Sequence, residues 1–197
     1  MPLQLAGVIE VPGAAGSAFD HGSFEPTTGR VFVAHTARNG LEVIDPRTRR
    51  HVASLDGFPE AAGVVADAGQ VLVTNRGSAE LVWLDAASLK EQARFETAPR
   101  PNGVAIVARA HLAVAACIGD DGCGPELQVI DLASGRRWAI PLPGRPRWCL
   151  PDAAGERIFL AIRRSKGFRG IQARSLWEFY HAWTFRLTSR PSTINNC

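Results

Sequence analysis

A repeat of about 40 residues constrains this chain more than any other feature. Gly29-Arg30-Val31-Phe32-Val33-Ala34-His35 returns 40 positions later as Gly69-Gln70-Val71-Leu72-Val73-Thr74-Asn75. It returns again, after 41 and then 46 positions, as His111-Leu112-Ala113-Val114-Ala115-Ala116 and Arg157-Ile158-Phe159-Leu160-Ala161. A second anchor, Leu41–Asp45, recurs as Leu81–Asp85 and Leu127–Asp131. A third pairs Gly63-Val64-Val65-Ala66 with Gly103-Val104-Ala105-Ile106. The extra residues of the third unit fall in one place, Gly119–Gly124. Three anchors repeating in register at this period mark a repeat architecture, in which one supersecondary unit is stacked on copies of itself.

Each unit reads as four short strands. Runs of four to six residues rich in Val, Ile, Leu and Phe alternate with Gly, Pro, Asn and Asp clusters, the signal for strand and turn. Fourth strands are expected at Arg50–Leu55, Gln92–Glu96 and Arg137–Leu142. Most second strands are apolar on both faces, as suits a sheet packed between two others, and helical periodicity is absent before residue 163. Four-stranded units of this length are the pattern of a β-propeller blade, as in WD40-like repeats. The expected fold is all-β: a partial β-propeller with three full blades, at about 18–60, 61–100 and 101–145, and part of a fourth at 146–163. Residues 1–12 are expected to form the outer strand of a missing closing blade.

The wording of the repeat goes further. Pro101-Asn102-Gly103-Val104-Ala105-Ile106, a turn, a Val/Ala-rich strand and Leu127-Gln128-Val129-Ile130-Asp131-Leu132-Ala133-Ser134-Gly135 resemble the YVTN-repeat β-propeller family. Phe19-Asp20-His21, Val33-Ala34-His35-Thr36 and Thr74-Asn75-Arg76-Gly77 resemble a branch of it. The resemblance covers about residues 5–163. It implies a seven-bladed propeller, of which this chain holds about half, and a location often outside the cytoplasm.

Charge divides the chain. Residues 164–197 hold six basic side chains and one acid, Glu178, whereas residues 1–163 hold 16 basic and 18 acidic side chains. The body has no positive excess with which to neutralise phosphates along a backbone, so no nucleic-acid partner is expected. The tail also carries six of the 15 aromatic residues. Its composition fits nothing in the repeat, and it reads as a spliced or frame-shifted end. Alternatively, Leu176, Phe179, Tyr180, Trp183 and Leu187 share one face at helical spacing and would form an amphipathic helix over the open edge. Open edges between blades predict self-association. No run of about 18 apolar residues predicts a membrane span. Met1–Leu5 has no basic or long apolar leader, so the cytoplasm is the default location.

Candidate chemistry follows from the topology. In a propeller, the loops from second to third strand and from one blade to the next share a face around the channel. That face is expected to present His35, Asn75, Arg76, Glu60, Arg100, Arg145 and Arg147, with His21 beside them. Four Arg on one funnel suit an anion, because guanidinium forks match carboxylate and phosphate. Asp20-His21 suits acid–base chemistry, metal binding or the capping of a strand end. Asp45, Asp85 and Asp131 recur in every unit and are expected to bond turn amides. No cofactor and no metal are expected: Cys117 and Cys123 lack zinc spacing, and Asp120-Asp121-Gly122 lacks the pattern of a calcium loop. Cys117 and Cys123 would pair only in an oxidising compartment.

The expected function is a binding or scaffold module, more a non-enzyme than an enzyme, with a small molecule or protein held at the loop face. The alternative is a lactonase-type hydrolase, implied by the resemblance, which would draw on Asp20, Glu25, Glu60, Asp67 and Asn102.

Overall fold

The computed structural model describes residues 2–163 and 180–186. The first sheet runs β1 (Gly22–Glu25), β2 (Arg30–His35), β3 (Gly40–Asp45) and β4 (Arg50–Asp56), in that spatial order. The second runs β5 (Ala61–Asp67), β6 (Gln70–Asn75), β7 (Glu80–Asp85) and β8 (Glu91–Glu96). The third runs β9 (Pro101–Val107), β10 (Leu112–Cys117), β11 (Glu126–Asp131) and β12 (Arg137–Pro141). The fourth has three strands, β13 (Arg145–Pro151), β14 (Arg157–Arg163) and β15 (Tyr180–Arg186). Every pairing is antiparallel between neighbours.

The sheets stack through three apolar layers, and the two-residue period of each strand feeds them. In β6, Val71 and Val73 point to the first sheet and pack with Phe32, Val43 and Val64, while Leu72 points to the third sheet and packs with Ile106, Ala113 and Ile130. This is why the second strands are apolar on both faces. A further layer joins Val114, Ala116 and Leu127 to Cys149, Ile158 and Leu160. Each fully buried Val, Leu or Ile contributes roughly 1.5–3 kcal/mol.

First strands of successive sheets lie against one another, β1 on β5, β5 on β9 and β9 on β13. Two glycines permit this. A Cβ on Gly63 would run into the carbonyl oxygen of Asn102, and one on Gly103 into the carbonyl oxygen of Arg147. The recurrent Gly of the repeat is therefore a close-approach residue between neighbouring sheets.

The turns show equally local causes. Asp45 Oδ1 accepts from the amides of Arg47 and Thr48, at 2.8 and 3.1 Å. Asp85 Oδ1 accepts from the amide and hydroxyl of Ser88, and Asp131 Oδ1 from the amides of Ala133 and Ser134. Glu25 ties two sheets together. Its buried carboxylate accepts from the amides and hydroxyls of Thr27 and Thr28, and from the Gly69 amide of the second sheet at 3.0 Å.

Three sequence expectations change. Residues 2–21 form no strand, and Leu3, Leu5 and Val8 stand exposed, since no neighbouring edge among the described residues takes up their backbone groups. The tail supplies a strand: β15 runs along the whole of β14, from Arg163 opposite Tyr180 to Arg157 opposite Arg186. Tyr180 and Trp183 thus lie in a strand and not on a helix, because the β14 edge offers a ladder for the backbone of 180–186. Leu176, Phe179 and Leu187 lie outside the described residues. Lastly, Cys117 and Cys149 are buried free thiols, so Cys117 does not pair with Cys123. Burial pushes the Cys149 thiol up to about 12, which keeps it protonated and unreactive.

Candidate functional site

Strand register generates a short row of equivalent positions. Gly22, Val64 and Val104 occupy the same rung of their sheets, opposite Val33, Val73 and Ala115. One residue earlier stand His21, Gly63 and Gly103. In the fourth sheet Cys149, opposite Leu160, takes the rung of Val64 and Val104, and Trp148 stands one residue earlier, after the same bulge. The middle sheets carry glycine there because the next sheet leaves no room. The outer two carry His21 and Trp148, and both line one cavity.

That cavity holds about 380 Å³ and is walled by Phe19, Asp20, His21, Asn102, Arg147 and Trp148. Its size falls at the small end of the roughly 300–1,000 Å³ usual for small-molecule sites. Asn102 is buried, and its amide reaches toward the Arg147 carbonyl at 3.5 Å. Asp20 accepts from Arg76 Nη2 at 2.9 Å and lies 3.4 Å from His21 Nε2.

Each aromatic wall rests on a histidine. Trp148 is 57% exposed and its indole packs on the His21 ring, with centroids 3.6 Å apart. Phe19 is 40% exposed and stacks on His35, with centroids 4.1 Å apart and planes 22° apart. His35 is fully buried. Its Nδ1 lies 2.7 Å from Glu42 Oε1 and its Nε2 2.7 Å from Ser17 Oγ. A neutral ring with the proton on Nδ1 satisfies both contacts, donating to Glu42 and accepting from Ser17. Glu42 is completed by the Ser54 hydroxyl at 2.6 Å and His51 Nε2 at 2.8 Å.

The electrostatics are dominated by arginine. Burial lowers the pKa of Arg145, and the charges of Arg147, Arg100, Arg163 and Arg76 lower it further. Five guanidinium groups therefore share one field, and Asp20 is the acid paired with one of them. The Nε atoms of Arg76, Arg145 and Arg147 are buried without a hydrogen-bond partner among the described residues, as is Asn75 Oδ1. Burial also lowers the pKa of His21. Arg76 and Arg147 act in the same direction, and Asp20 opposes them. A neutral imidazole is the expected form at pH 7.

Among the expected site residues, His21 and Arg147 wall the cavity, Arg76 is tied to its rim through Asp20, and Arg100 and Arg145 belong to the same charged group. Arg100 is exposed, in the left-handed region at φ 55°, as is Glu60 at φ 48°. Asn75 is buried at the end of β6. His35 lies beneath Phe19 and does not line the cavity. Of the residues considered for hydrolysis, the acid Asp20 and the amide Asn102 reach the cavity, whereas Glu25 and Asp67 sit at the opposite strand ends, in the β1–β2 and β5–β6 turns. Among the described residues, no three His, Cys, Asp or Glu side chains gather as a metal-binding group. Phe19 and Trp148 escaped sequence reasoning. The available signal was Trp148 itself, a bulky aromatic where the repeat places Gly63 and Gly103.

No family profile matches the sequence, and no curated protein matches it. Solved structures do. A chain of Kuenenia stuttgartiensis hydrazine synthase superposes with a TM-score of 0.69 at 14% identity, over 85% of this chain and 50% of that one. A chain of a nidogen/laminin complex superposes with a TM-score of 0.60 at 16% identity, over 74% of this chain and 56% of that one. The fold is all-β and propeller-like. The chain spans about half the length of the solved chains it matches. No helix among the described residues is long and apolar enough to cross a membrane.

Proposed function

We propose that the protein is a binding module, a YVTN-like propeller repeat whose ligand is a small anion held in the cavity at the loop face. The observation that supports this reading is that the buried Nε atoms of Arg76, Arg145 and Arg147 lack acceptors among the described residues, while the charges of Arg147, Arg100, Arg163 and Arg76 disfavour the charge on Arg145. An anion relieves that repulsion and offers acceptors to N–H groups that lack them. Low-dielectric walls around the cavity concentrate the field on whatever enters.

Calorimetric titration of inorganic phosphate and of acetate at low and at physiological salt tests the reading. Saturable binding that weakens with salt, and falls at least tenfold in an Arg145→Gln/Arg147→Gln double variant that still melts cooperatively, is the expected result. Absence of saturable binding by either anion overturns it. A lactone-hydrolysis screen with and without Ca²⁺ separates this reading from a hydrolase: turnover abolished by chelator would replace the binding module with an enzyme.

A further inference from the structure

The arginines account for only part of the cavity. Two of its six wall residues are aromatic and open to solvent, Trp148 at 57% and Phe19 at 40% exposure. Large apolar rings left exposed inside a concavity are unusual unless something covers them. At the register-equivalent positions of the second and third sheets stand Gly63 and Gly103, each closed over by the backbone of the next sheet. Trp148 takes the same place in the fourth sheet and presents its ring to the cavity.

Both rings are also held in place before any ligand arrives. His21 backs the indole, and His21 is itself fixed, its amide donating to the Ala62 carbonyl and its carbonyl accepting from Ala34. His35 backs Phe19, and the buried contacts to Glu42 and Ser17 lock the His35 ring. Such support lowers the entropy lost when a ligand is gripped. The burial of His35 and Glu42 thereby gains a use, since the pair orients a wall of the cavity that neither touches.

We infer that the ligand is an aromatic anion: a planar ring laid against Trp148 and Phe19, with a carboxylate or phosphate directed at Arg147 and the arginines behind it. The inference rests on the anion-binding reading and specifies its substrate class. Aromatic stacking adds affinity beyond area burial, and a cavity of about 380 Å³ admits a single substituted ring with its charged group.

The test compares aryl and non-aryl anions on the full chain by titration calorimetry. Phenyl phosphate is set against inorganic phosphate, benzoate against acetate, and benzyl alcohol serves as the uncharged ring. Phenyl phosphate and benzoate are expected to bind at least tenfold more tightly than their non-aryl counterparts, a difference of about 1.4 kcal/mol. In Trp148→Ala the ratio of phenyl phosphate to inorganic phosphate affinity is expected to fall to about one. Trp148 is exposed, so its truncation opens no core void, and the comparison in the unaltered protein stands without it. Equal affinity for aryl and non-aryl anions overturns the aromatic assignment and leaves the anion site standing. No binding by any of the four anions overturns both. Benzyl alcohol binding as tightly as phenyl phosphate also overturns both, because the arginines would then contribute nothing.

Discussion

The imidazole of His21 packs against the indole of Trp148 with ring centroids 3.6 Å apart and planes 44° apart, linking the first sheet to the fourth across the cavity. His21 immediately precedes β1 and Trp148 lies in β13, strands that the repeat makes equivalent. Their contact joins the Asp20–Arg76 ion pair on one side to the Arg145–Arg147 segment on the other. The protonation of His21 therefore reports on the whole charged group.

Removing Asp20 takes away the one influence that raises the His21 pKa. In Asp20→Asn the pKa is expected to fall further below its ordinary value, and in Arg147→Met to rise toward it. Two-dimensional NMR of the His21 ring against pH checks both. A shift in the same direction in the two variants would contradict the electrostatic arrangement described here.

Glu25 gives the fold an acid-sensitive tie. Burial alone would raise its pKa, but two amides and two hydroxyls from Thr27 and Thr28 and the Gly69 amide outweigh it and hold the carboxyl at about 2, against 4.5 for the free group. The folded pKa is the lower one, so the stabilisation is complete above about pH 4.5 and is lost as pH falls toward 2. It amounts to about 3 kcal/mol. Glu25→Gln is expected to lose roughly 2–3 kcal/mol in urea unfolding at pH 7 and to flatten the acid limb of stability between pH 5 and 2.

Glu42 should behave similarly for a different reason. Burial opposes its charge, and Ser54, His35 and His51 favour it, with a net lowering of the pKa. Its contribution is present above the usual carboxylate range and fades as pH drops through the lowered value. Glu42→Ala leaves the buried His35 Nδ1–H without an acceptor and is expected to cost roughly 3–5 kcal/mol by thermal or urea denaturation. Ring contact between His35 and Phe19 should loosen with it, seen as broadened Phe19 resonances.

Gly103 tests the stacking of the sheets. A methyl group there meets the Arg147 carbonyl, a backbone atom that cannot swing aside. Gly103→Ala is expected to destabilise by roughly 1–3 kcal/mol and to displace the Arg147–Trp148 bulge, weakening anion binding. Gly135, at the β11–β12 turn, has φ 71° and only the Phe95 ring nearby, with no backbone oxygen. Gly135→Ala should therefore lower stability through strain and leave anion binding intact. Equal loss of binding in both variants would argue against a specific role for the close approach at Gly103.

Much of the architecture was legible because its causes are local or periodic. Alternation of Val71, Leu72 and Val73 encodes a strand buried on two faces, and Asp45, Asp85 and Asp131 encode turns through bonds two or three residues away. Tyr180–Arg186 was not legible as a strand, because its partner β14 lies well back along the chain and no repeat residue marks the pairing.

Composition and period by themselves determined an all-β chain built of four-stranded units. Only the tertiary structure decided that Phe19 and Trp148 share a cavity, that His35 lies beneath one wall, and that Glu25 joins two sheets. The physical reason is range. Strand and turn preferences act over a few residues, whereas ring contacts and shared electrostatic fields depend on how separate sheets come to rest against each other.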